Sequence, residues 1–85
     1  MTTSDAALRR RAKSVLAEAE RLLTGEPTTW DEAVARARRE YELGLYTMVR
    51  VHSPWTEAHY ERRETKLGRI VREMLVAKLS AEART

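Results

Sequence analysis

Apolar residues return at intervals of three and four along most of this chain, in three runs parted by two breaks. The first run is Leu8, Ala12, Val15, Ala19 and Leu22, widened by Leu16 and Leu23. Such spacing puts one apolar stripe on a helix. It predicts a helix over about 5–24, capped by Ser4 or Thr3, whose hydroxyls accept amide hydrogen bonds. Gly25 stands where a left-handed residue closes a helix, and Pro27 forbids its continuation. The second run begins at Thr29-Trp30-Asp31-Glu32, a capping box. Trp30, Val34, Ala37, Tyr41, Leu45 and Met48 form its stripe. They predict a second helix over about 30–51 that faces the core. The third run opens at Ser53-Pro54, a cap followed by a proline at the first helical position. It predicts a helix over about 54–81, with Tyr60, Leu67, Ile70, Val71, Met74 and Ala77 on its stripe and Gly68 in its middle.

Short connections make consecutive helices antiparallel neighbours. The expected fold is therefore all-α, a three-helix antiparallel bundle forming one domain over 1–85, with 1–3 and 82–85 frayed. This arrangement leaves a mismatch. Residues 43–51 are apolar on nearly every side, yet they face TEAHYERRETK, the polar first half of the third helix. The far half of that helix is apolar on more than one side. Surplus apolar surface of this kind is normally covered by a partner. The expected interface comprises Leu45, Met48, Val49, Val51, Trp55, Ile70, Leu75 and Leu79, and the expected state is a homodimer or a complex with a larger protein. An alternative stays open for 46–51, which is β-rich and suits a short strand. A strand there followed by two helices would resemble a ribbon-helix-helix DNA-binding dimer, although no turn divides the region after Pro54.

Composition narrows the picture. A chain of 85 residues buries only about 60% of its unfolded surface, so chains of this size often rely on disulfides, metals or oligomerisation. With no cysteine and two histidines, disulfides and thiolate or histidine-rich metal sites are excluded. Neither a metal nor a cofactor is expected, which leaves oligomerisation. The opening MTTSDAALRRR holds no secretory apolar run, and no stretch nears the roughly 20 apolar residues of a membrane span. The expected location is the cytoplasm, with no membrane partner. Net charge is +3 with 34% charged residues, which permits an anionic partner without requiring one. Arginine outnumbers lysine 13 to 3. The guanidinium fork suits phosphate, but a GC-rich genome, whose codons favour Arg and Ala, produces the same bias.

Arg9, Arg10, Arg11 and Lys13 form a basic cluster, the possible nucleic-acid contact. In an antiparallel bundle Glu57, Glu61 and Glu64 lie at the same end and can neutralise it. His52, Glu57, His59 and Glu61 gather titratable groups, but on a helix residues two apart diverge by roughly 200°, so no metal or acid–base site forms there. Trp30 and Trp55 stand at the two helix starts, Trp30 expected first as a core plug and Trp55 equally as core plug or exposed anchor; either one, if exposed, is a candidate binding hot spot. No catalytic signature is present. The expected function is a small non-enzymatic helical protein–protein interaction module. The alternative is a nucleic-acid-binding or transcription-accessory protein using Arg9 to Lys13.

Overall fold

A computed structural model describes residues 4–84, the side chain of 56 excepted. The expected fraying at 1–3 and at 85 lies outside the described residues. Element order is α1 (Asp5–Thr24), α2 (Trp30–Glu42), β1 (Tyr46–Ser53), β2 (Thr56–Glu64) and α3 (Lys66–Ala83). The all-α bundle is therefore corrected: the fold mixes three helices with one two-stranded antiparallel sheet. The alternative strand at 46–51 is present as part of β1, but the ribbon-helix-helix resemblance drawn from it is corrected, because that strand pairs with a second strand instead of leading into two helices.

The first helix follows its predicted bounds, and Ser4 caps it by accepting from the Ala7 amide at 3.2 Å. Gly25 is extended rather than left-handed, with φ −85°. Its carbonyl accepts from Arg36, which ties the end of α1 to α2.

The second helix stops at Glu42 instead of running on to 51, and the reason is local. Gly44 takes the left-handed conformation, φ +81°. The Gly44 amide donates to the Tyr41 carbonyl at 3.0 Å, and the Leu45 amide donates to the Glu40 carbonyl at 3.1 Å. Those two bonds are the Schellman pattern that satisfies the last carbonyls of a helix. Gly44 thus terminates α2, and the β-branched stretch after it is released into a strand.

The third helix also divides. Ser53 caps a tight turn instead of a helix: its hydroxyl accepts from the Trp55 amide at 3.2 Å. Ser53 pairs across the turn with Thr56, leaving Pro54-Trp55 as the two-residue loop. The polar half, 56–64, is β2. The apolar half is α3, capped by Thr65, whose hydroxyl accepts from the Gly68 amide at 3.0 Å.

The core joins α1 to α3. Ala12 and Ala19 meet Leu67, Ile70 and Val71, and Leu43 and Leu45 close one side. Leu8, Val15, Leu16, Leu22, Leu23 and Met74 pack around them. Asp5 pairs with Lys66 at 2.8 Å and Glu20 pairs with Lys78, so the two helices run in the same direction. A close backbone contact locks the start of α3 against the connection between α2 and β1. The Thr65 amide donates to the Leu45 carbonyl, the Thr65 hydroxyl donates to the Gly44 carbonyl at 2.6 Å, and a Cβ on Gly68 would stand 1.9 Å from the Leu45 oxygen. No helix of the described residues is long and apolar enough to cross a membrane.

Candidate interaction surface

The second helix packs in an unexpected orientation. Ala33, Arg36 and Ala37 are half-buried, and Glu40 is its one buried residue, 2% exposed. Their mean direction lies nearly a quarter turn from that of Trp30, Val34 and Tyr41, with Ala37 at the boundary between the two faces. Trp30 is 80% exposed, Val34 40% and Tyr41 54%. The stripe expected to face the core therefore faces solvent, and Trp30 is no core plug.

Glu40 explains the rotation. A buried carboxylate requires partners, and it has two, Arg36 at 3.3 Å and Arg62 at 2.8 Å. Arg62 comes from β2 and also lies over the Tyr46 ring, 4.0 Å from its centroid. The Tyr46 hydroxyl donates to the Ala37 carbonyl at 2.7 Å, and the Tyr46 ring meets Tyr41 at 5.8 Å. This polar and aromatic seam fastens the base of the ribbon to α2. Periodicity cannot reveal it, because it depends on a glutamate and an arginine far apart in sequence.

Alternation places Tyr46, Met48 and Arg50 on one face of the ribbon, opposite Glu64, Arg62 and Tyr60. Met48 and Tyr60 are exposed. They extend the surface begun by the α2 stripe. Trp55 stands 90% exposed at the ribbon's tip.

Of the expected interface residues, Leu45, Ile70 and Leu75 are buried within the chain itself. Val49 and Val51 are half-buried on the opposite ribbon face, and Met48, Trp55 and Leu79 are exposed. Leu79 adjoins exposed Val76 on the far half of α3.

The basic cluster is not neutralised as expected. Glu57 and Glu61 lie on β2, where Glu61 pairs with His59 at 3.1 Å, and Glu64 pairs with Arg72 at 3.1 Å. No ion pair engages Arg10, Arg11 or Lys13 among the described residues. Arg9 lies near Asp5, whose carboxyl is held below the usual range mainly by the Lys66 hydrogen bond and charge, with Arg9 and Arg69 adding to it. Segments 5–13 and 63–72 together carry eight basic and two acidic residues, so this end of the molecule is strongly positive.

Because 57–61 is strand, Glu57, His59 and Glu61 share a face, contrary to the helical expectation. The Glu61 hydrogen bond and then the Glu57 carbonyl raise the His59 pKa. Among the described residues no three His, Cys, Asp or Glu side chains converge to hold a metal. A cavity of about 270 Å³ opens between Leu23, Leu45, Tyr46, Gly68, Arg62 and Arg72. Its two arginines are already paired with Glu40 and Glu64.

Comparison with known protein families, with curated proteins and with solved structures finds no match.

Proposed function

We propose that this chain is a cytoplasmic, non-enzymatic protein-interaction module that works through the outward face of α2 and the adjoining face of the ribbon. One observation carries the reading. An amphipathic helix turns its apolar stripe, Trp30, Val34 and Tyr41, to solvent, while a glutamate occupies its inward side. Exposed apolar surface that is contiguous and rich in aromatics marks a contact surface, and Trp and Tyr are the residues that dominate binding energy at such surfaces. The ribbon adds weight, because a two-stranded sheet is only marginally stable alone.

A photo-crosslinking residue at Val34 of the full chain in its native host tests this. A saturable protein adduct of defined mass, absent when the crosslinker sits at exposed Ala17 on α1, is the expected result. No adduct at Val34 in a folded chain would overturn it.

A second reading, nucleic-acid binding, is favoured by the eight-to-two excess of basic residues at the pole where α1 and α3 begin. Arg9, Arg10, Arg11 and Lys13 would contact phosphates together with Lys66 and Arg69. Binding to duplex DNA or RNA would then weaken steeply with salt, with a log–log slope of about −0.9 per phosphate neutralised on B-DNA. Absence of binding at about 50 mM salt, where such contacts are strong, would remove this reading.

A further inference from the structure

We infer that the occupant of the α2 stripe is a second copy of this chain, bound with the two α2 helices antiparallel about a two-fold axis near Val34 and Ala35. This rests on the interaction-module reading and names the partner.

The stripe has a symmetry of its own. Its exposed members are Trp30, Val34 and Tyr41, with an aromatic at each end and the smaller valine between them. Antiparallel pairing therefore sets the Trp30 end of one stripe beside the Tyr41 end of the other, with Val34 nearest the middle. A contact related by a two-fold axis must be self-complementary in this way.

Charge along the helix points to the same pairing. Asp31 and Arg38 are exposed, and no ion pair engages either among the described residues. They are seven residues apart, two helical turns, so both lie along one flank of the stripe. That flank is turned away from Ala33, Ala37 and Glu40, which face the chain's own body. Antiparallel pairing brings equal flanks together. Asp31 of one copy then meets Arg38 of the other, twice. Parallel pairing about a two-fold would bring unequal flanks together and leave the Asp31–Arg38 flanks of the two copies on opposite sides, without either contact. The charge pair centres between residues 34 and 35 and the apolar stripe between 35 and 36, so both place the axis within one residue.

The core, finally, is small. It holds two alanines from α1, three aliphatic side chains from α3 and two leucines from the α2–β1 connection. None of the buried apolar side chains belongs to α2. A second copy would give α2 the apolar cover that its own chain withholds.

Charge reversal supplies the test, with sedimentation equilibrium as the readout and the full-length chain as the material. Asp31→Arg alone leaves like charges facing one another in a self-pair, and so does Arg38→Asp alone. Each variant should dimerise about tenfold or more weakly than the unaltered chain, since two favourable contacts become two unfavourable ones. An equimolar mixture of the two variants should dimerise. The arginine introduced at position 31 of one then meets the aspartate introduced at position 38 of the other, and the retained Arg38 meets the retained Asp31. The double variant D31R/R38D should dimerise with itself, which controls for any loss of helix α2 caused by removing an N-terminal acid. The selection should weaken in high salt. Variants that dimerise as tightly as the unaltered chain, or a mixture no tighter than its components, would overturn the antiparallel pairing. An unaltered chain that stays monomeric while Val34 crosslinks to a different protein would overturn self-pairing and leave the interaction-module reading standing.

Discussion

At Gly68 the first turn of α3 lies directly against the Leu45 carbonyl, and the 1.9 Å separation that a Cβ would have leaves it no room. Gly68→Ala should therefore destabilise the chain by about 1–3 kcal/mol, the usual cost of forcing extra atoms into a packed site. Thermal unfolding followed by circular dichroism measures it, and a melting point equal to the unaltered chain's would show that the contact can yield. Glu40 is the other residue on which the ribbon's position depends. Glu40→Ala leaves Arg36 and Arg62 without their shared acceptor. The two arginines are partly exposed and can find water, so the expected loss is about 1–3 kcal/mol rather than the larger cost of a fully buried pair. His59 gives a pH signature of known sign. Its pKa is raised in the folded hairpin by Glu61 and the Glu57 carbonyl. The stabilisation this brings is complete below the unfolded histidine value of about 6.5 and is lost as pH rises through the higher folded value. NMR titration of His59 should show that raised value, and Glu61→Gln should return most of the shift. An ordinary value in the unaltered chain would contradict the pairing.

At the scale of elements, the breaks in the sequence were easier to place than what lies between them. The first helix, the Thr29 cap and the break at 52–54 are legible because caps and glycine or proline act locally. The expected 30–51 helix runs past its true end because Gly44 stands inside an apolar run whose spacing a helix also satisfies. The left-handed glycine and the β-branched residues that follow it are the available signal. The polar half of the expected third helix is a strand because its partner, 46–53, supplies hydrogen bonds that no local pattern announces. Thr65-Lys66-Leu67-Gly68 marks the real helix start, a threonine cap three residues before the amide it accepts from. Gly44→Ala tests the termination of α2. A Cβ there costs roughly 1–2 kcal/mol in the left-handed region, and the loss should appear in equilibrium unfolding. No loss would mean that the Schellman turn does not fix where α2 ends.

At the scale of the molecule, the surplus apolar surface was legible in the sequence, but its place was not. Periodicity identifies the stripe of α2 correctly and says nothing of which way it faces. The direction is set by Glu40, Arg62 and Tyr46, whose hydrogen bonds cross 9 to 22 positions of sequence and turn the helix nearly a quarter revolution. Leu45, Ile70 and Leu75, read as interface, are consumed by the chain's own core, whereas Trp30, Val34 and Tyr41, read as core, form the exposed surface. The basic pole at the N-terminal ends of α1 and α3 likewise depends on two helices, far apart in sequence, packing on each other in the same direction. A chain whose stripe is covered by a second copy should also melt at a temperature that rises with protein concentration.

Light scattering coupled to size-exclusion chromatography, applied to the unaltered chain and to Val34→Glu at tens of micromolar, tests the central claim most directly. The expected result is twice the 9.8 kDa chain mass for the unaltered protein and the single-chain mass for Val34→Glu, with equal helical content in both. A monodisperse single-chain mass for the unaltered protein, or a dimer indifferent to a charge at Val34, would contradict it.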